Sequence, residues 1–132
     1  WPGWPLPNVI VGFSAENQEW FNKRWPHIEQ LALAGWKTWA SFEPLLGEIG
    51  VLQAMPTGDG RGTLSWAVVG GESGRRHRVC KVEWIESLVE QFDAFDLPLF
   101  VKQDSGQYPG NQGRIPLAIW ELKQHPSERI IG

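Results

Sequence analysis

The segment Leu64–Val101 narrows the fold more than any other part of the chain. Leu64–Val69 (LSWAVV) is a mostly apolar run of the kind a buried strand makes, and Pro98–Val101 is a second. Between them Val82, Ile85, Leu88, Val89, Phe92 and Phe95 recur at helical spacing. Glu83, Glu86, Glu90 and Asp93 lie off that face, so Lys81–Phe95 is predicted to be an amphipathic helix. Two strands joined by a helix pair in parallel, and such crossovers are almost always right-handed.

The same alternation extends toward the start. Val9–Phe13 is expected to be a strand covered on both faces. Asn17 caps a following helix, with Glu19 in its first turn, where the helix dipole favours negative charge. Pro26 is expected to break or restart that helix, because proline lacks the amide donor and crowds the preceding turn. His27–Ala34 then continues to Gly35, a helix stop.

Trp36–Phe42 reads as the next strand. Leu45, Leu46, Ile49 and Leu52 fall at helical spacing, although Gly47 and Gly50 weaken a helix there. Thr57–Gly62 is turn or loop by composition. A Gly- and Pro-rich loop follows the fourth strand, with a short helix near Leu117–Lys123. The fold class is therefore α/β, consecutive βα units with a parallel sheet. Four units make either a small open sheet or part of a barrel, since closure takes about eight.

The 132 residues suit one domain, with 1–8 as a linker and 104–132 as a loop-rich C-terminal extension. The opening WPGWPLP reads as an interior linker, so the chain is expected to be a fragment. A single cysteine, Cys80, rules out an internal disulfide and any cysteine-rich metal site within these residues, so no metal site is expected. It also fits a reducing, cytoplasmic setting. No apolar run approaches the ~20 residues of a membrane helix, and no membrane role is expected. A formal net charge of −3 gives no general attraction to nucleic acid.

Parallel α/β sheets bind ligands at the carboxyl ends of their strands. Here those ends deliver Ser14 and Glu16, then Glu43 and Pro44, then Gly70, Gly71, Glu72 and Ser73, then Lys102, Gln103 and Asp104. A rim this charged needs partners, either a ligand or one another. The GGESG loop lacks the spacing of a dinucleotide fingerprint and the Gly-Lys-Ser/Thr of a phosphate loop. Its paired glycines allow close backbone approach to a ligand, and Glu72 would suit an amine or hydroxyl. The plainer reading is a tight turn in which Glu72 pairs with Arg75 or Arg76.

Arg75, Arg76 and Arg78 are candidates for clamping an anion, against the commoner fate of a solvated basic loop. Glu43 and Glu72 have the composition of an acid/base pair, with Lys102 placed to neutralise them instead. His77 and Cys80 suggest a nucleophilic dyad only weakly, since a lone cysteine is usually inert packing. Trp36, Trp39, Trp66, Trp84 and Trp120 read as packing rather than as a base-stacking platform, because no basic groove accompanies them.

Four stretches in order, VGFSAENQE, SFEPLLGEI, WAVVGGESG and LPLFVKQ, resemble the signatures of a phage-encoded family of unknown function with radical-SAM-like barrels. Its members read close to GVSVEDQ, SIEPLLGPI, VGGESG and FFKQ, and the resemblance runs from about Trp4 to the C-terminal helix. It implies a partial, half TIM-type barrel. Family members carry an upstream three-cysteine motif for an iron–sulfur cluster that cleaves S-adenosylmethionine, so the resemblance implies the C-terminal part of such a protein, without the cluster half. It places Ser14 and Glu16 toward the cofactor ribose or methionine. Glu43, Gly70, Gly71, Glu72 and Ser73 complete the pocket, with Lys102 and Gln103 nearby.

The departures are Asn17 in place of the common Asp, and DSGQYPG after Lys102-Gln103 where Trp-Gly is frequent. The partner expected for such a piece is the missing N-terminal half. The alternative is a non-catalytic half-barrel that binds or assembles through exposed sheet edges.

Overall fold

Among the described residues, apolar runs too short for helices become four strands: β1 (Ile10–Ser14), β2 (Lys37–Phe42), β3 (Trp66–Gly70) and β4 (Leu99–Gln103). The computed structural model describes residues 4–52 and 63–126. The Thr57–Gly62 turn and the outer ends of the expected linker and extension lie outside the described residues. The helices are α1 (Gln18–Leu33), α2 (Val82–Ala94) and α3 (Leu117–Trp120). All strand pairs are parallel and the sheet order is β1-β2-β3-β4, so each strand lies beside its sequence neighbour.

Strand alternation divides the sheet into two unlike faces. Ala40 registers with Ala67 and Leu99, and Phe42 with Val69 and Val101. All six are buried, against Phe21, Trp25 and Ala32 of α1 and Ile85, Leu88 and Phe92 of α2. Phe42 meets Phe21 at a ring-centroid distance of 6.2 Å and Phe92 at 6.4 Å, so both helices cover this one face. The opposite face carries Trp39 registered on Trp66, then Val68 registered on Phe100, all only half-buried. The expectation that β1 is covered on both faces is corrected accordingly. Its Gly12 and Ser14 are exposed on the uncovered side.

Several boundaries depart from the sequence reading, each for a local reason. Pro26 lies inside an unbroken α1. The turn is held on both sides, because Trp25 is buried and its Nε1 donates to Glu29 Oε2 at 3.2 Å, spanning the proline. Burial of Phe21 and Trp25 offsets the roughly 3 kcal/mol that an interior proline costs. Asn17 caps the helix as expected, its side chain accepting from Trp20 N.

Residues 43–52 form no helix. The amides of Leu45 and Leu46 donate instead to Gly70 O and Glu16 O, and Leu45, Ile49 and Leu52 are buried from a loop laid across the strand ends. Phe95, expected on the buried face of α2, is 46% exposed just past the helix end. The last helix stops at Trp120, and the residues after it serve the sheet. Val101 N donates to Leu122 O and Gln124 N to Leu99 O, so the segment 122–124 lies antiparallel along the outer edge of β4.

Candidate functional site

Register sets Ser14 beside Ser41, Phe42 beside Val69 and Gly70 beside Gln103, so the four strands end along one edge of the sheet. Past β3 the pairing carries on into the loops. Gly71 N donates to Gln103 O, Gly106 N to Glu72 O, and Gly74 N to Gly106 O, at 3.0–3.1 Å. A side chain at residue 71 would place its Cβ 2.6 Å from Ser105 Cα, and Gly74 has φ +124°, so both positions demand glycine. The close approach allowed by the glycine pair is thus taken by the chain's own 103–107 segment.

Glu72 pairs with neither Arg75 nor Arg76. Its partner is Arg78, whose Nη2 lies 2.7 Å from Oε2 and whose Nε lies 3.1 Å from Oε1. The Arg78 amide adds a third bond at 2.8 Å. Bonding from the Arg78 side chain, then from its backbone amide, holds the Glu72 carboxyl down at about 2 and raises the Arg78 pKa in turn. Arg78 is therefore committed within the loop rather than free to clamp an anion. Arg75 and Arg76 are exposed, and His77 Nδ1 lies 2.7 Å from Gly74 O.

Six of the expected residues come together. A concavity of about 310 Å³ at the strand ends is lined by Glu43, Gly71, Glu72, Ser73, Lys102 and Gln103, together with Pro44. Glu43 Oε1 accepts from Ser41 Oγ at 3.1 Å, and Oε2 lies 3.2 Å from Lys102 Nζ. Gly70 lies beneath them, its carbonyl accepting from Leu45 N. Gln103 has a structural position: it is buried, its Nε2 donates to Gly71 O and its Oε1 accepts from Gly110 N.

Ser14 and Glu16 share the edge but do not line this concavity. Arg24 Nη1 donates to Ser14 O at 2.6 Å and lies 3.6 Å from Glu16 Oε1, tying both to α1.

Two further features bear on the site. Asp104 is buried; it accepts from the amides of Ser105 and Arg114 at 2.7 Å and fastens the loop after β4. The second is the uncovered sheet face. A concavity of about 520 Å³ there is lined by Trp39, Trp66, Val68, Phe100 and His125, with Glu43 and Lys102 at its strand-end side. The Trp39 and Trp66 rings stand 5.2 Å apart at 34°, and Trp39 overlies Gly12, where a Cβ would come within 2.8 Å of its Cδ1. Trp84 and Trp120 do pack against the core as expected, whereas Trp39 and Trp66 face outward. The signal was strand alternation: Trp39 has the opposite parity to Ala40 and Phe42, and Trp66 to Ala67 and Val69.

Among the described residues no three His, Cys, Asp or Glu side chains gather to hold a metal ion. Cys80 is buried, and desolvation first, then the Asp104 charge, pushes its thiol up to about 12. A cluster ligand must be a thiolate, so these residues do not fit an iron–sulfur cluster. No helix among the described residues is long and apolar enough to cross a membrane.

No curated protein and no solved structure matches the chain. A family model does, from residue 1 to residue 127. With its strand-end motifs all inside that match, the chain belongs to the family described as "Protein of unknown function (DUF5131)".

Proposed function

We propose that the chain is the C-terminal part of a phage-encoded, radical-SAM-like barrel protein of the cytoplasm, and that its strand-end rim lines the pocket for S-adenosylmethionine or substrate. The observation that carries this reading is the convergence of Glu43, Gly71, Glu72, Ser73, Lys102 and Gln103 on one open concavity at the carboxyl edge of a parallel sheet. The sheet order supports the barrel part of the reading. Strands follow one another without a reversal and both helices lie on one face, as in a section of a barrel, whereas a doubly wound sheet has helices on both.

Within the rim, Glu43 and Lys102 suit a zwitterion. The ligand's ammonium replaces Lys102 at Glu43 while its carboxylate takes the released Lys102 Nζ. This chain supplies binding and orientation, and no radical step is assigned to its residues.

Calorimetric titration of S-adenosylmethionine into the chain and into Lys102→Ala tests the proposal. Saturable binding, weakened by roughly tenfold or more in the variant, is the expected result. A folded chain that shows no binding at millimolar ligand, or equal binding by both proteins, refutes it. A second reading, a non-catalytic assembly module, draws on β1 being an edge strand. It predicts concentration-dependent self-association in sedimentation, with no response to the ligand.

A further inference from the structure

The net charge of −3 hides a segregation of charge. The loops after β3 and β4, residues 71–81 and 104–116, hold five of the twelve Lys and Arg but only two acids, Glu72 and Asp104. Both acids are spent inside the loops. Glu72 is bonded on both oxygens by Arg78, and Asp104 is buried with the Ser105 and Arg114 amides on it. Arg75 and Arg76 are exposed and make no ion pair among the described residues. The local backbone turns them outward. His77 N donates to Gly74 O at 3.2 Å, closing a tight turn with Arg75 and Arg76 at its two central positions.

That turn is seated on the other loop. Gly74 N donates to Gly106 O and Gln107 O at 3.0 and 3.1 Å, so the next residues along, Arg75 and Tyr108, flank one joint. Tyr108 is 70% exposed, more than any other large apolar or aromatic residue described. Its loop is nevertheless braced. Asn111 Nδ2 donates to Tyr108 O at 2.8 Å, Gly110 N donates to Gln103 Oε1 at 2.9 Å, and Pro109 restricts the Tyr108 backbone to extended conformations. A ring held in water beside two unpaired guanidinium groups is preorganised, since little ordering remains to be lost on binding. We infer that the joined loops are a docking surface for single-stranded nucleic acid, with phosphates on Arg75 and Arg76 and an unstacked base on Tyr108. A duplex is the poorer occupant, because its stacked bases offer no free ring face. An acidic peptide would use the arginines and leave the ring idle. Arg75, Arg76 and Tyr108 line neither the rim concavity nor the open sheet face, so the inference stands whether or not the rim takes S-adenosylmethionine.

The test is fluorescence anisotropy of a labelled oligothymidylate of about ten nucleotides, titrated with the chain at several salt concentrations without S-adenosylmethionine. Tyr108→Ala, Tyr108→Phe and the double change Arg75→Gln with Arg76→Gln are titrated alongside, each checked for native circular dichroism. All three positions are exposed, so each variant is expected to fold. Saturable binding is expected, about tenfold or more tighter than binding of a duplex of equal length or of polyglutamate. The logarithm of the binding constant should fall against that of salt with a slope of roughly −1.4, about −0.7 for each phosphate, and the double arginine variant should flatten it. Tyr108→Ala should lose about tenfold in affinity, whereas Tyr108→Phe keeps the ring and should keep the affinity.

No binding by the folded chain at low salt, or unchanged affinity in Tyr108→Ala, overturns the inference. A salt slope unaltered by loss of both arginines overturns it too. Equal binding of polyglutamate identifies an acidic peptide surface, and equal binding of duplex a mere attraction to phosphate; either also overturns it. Failure here leaves the rim reading intact, since that reading is decided by Lys102→Ala against S-adenosylmethionine.

Discussion

Replacing Gly71 by alanine tests whether the GGESG loop is an internal joint of the fold. The new Cβ would stand 2.6 Å from Ser105 Cα and 2.8 Å from its Cβ, where carbon atoms rest at about 3.5–4.0 Å. Something must therefore yield by about 1 Å. Ser105 is poorly placed to yield, because its amide donates to Asp104 Oδ1 at 2.7 Å and its Oγ accepts from Cys80 N at 2.8 Å. Overpacking costs about 1–3 kcal/mol, and a clash with backbone belongs at the upper end, about 2–3 kcal/mol.

An unfolding entropy of about 2.1 cal/mol/K per residue over 132 residues comes to roughly 0.28 kcal/mol/K. Gly71→Ala should then lower the melting midpoint by roughly 7–11 °C in calorimetry or circular dichroism. Gly70→Ala is the internal control. Its Cβ would find neighbours no nearer than 3.4 Å, at Gln103 Cγ, and should shift the midpoint by less than roughly 4 °C. A Gly71→Ala protein melting within roughly 2 °C of the parent would refute the reasoning, as would equal losses in the two variants.

Two further outcomes follow from the rim. Gln103→Leu strands Gly71 O at a buried position, while Gly110 N is exposed and can turn to water, and the change should cost about 1–3 kcal/mol in urea unfolding; a smaller loss would return Gln103 to the candidate ligands. The Arg78 bonds hold the Glu72 carboxyl below its ordinary 4.5, at about 2, so its contribution is complete above pH 4.5 and fades as pH falls toward 2. Hydrogen exchange at the Arg78 amide should accelerate across that window and become pH-insensitive in Glu72→Gln, once intrinsic exchange is subtracted; unchanged protection would remove the pair from the loop's support.

Strands and the two long helices were legible because their signals are local and strong. The Lys81–Phe95 periodicity and the Asn17 cap are examples, and parallel strand ends follow from them with little room for error. Residues whose partners lie far along the chain were harder to read. Leu45 and Leu46 have helical spacing, yet their amides are claimed by Gly70 and Glu16 of other segments. Pro26 obeys its local rule only until Trp25 and Glu29 bind across it.

For the site, residue type at each strand end was readable, and six side chains do meet. Which of them were already spent was not. Gln103 and Glu72 reach partners at Gly110 and Arg78 that composition cannot single out. The aromatic face was hidden by reading tryptophans as a class; only the parity of each position tells Trp39 from Trp84.

The strip at residues 122–124 also bears on how this sheet can grow. By occupying the outer side of β4, it makes the sheet one-ended among the described residues, with β1 the place where another strand can join. Two copies joined through β1 about a two-fold axis would use that place on both, and the union would end with the pair. Endless addition, the route by which open sheets become fibres, is blocked on the β4 side by three residues, two of which read in the sequence as the end of a helix.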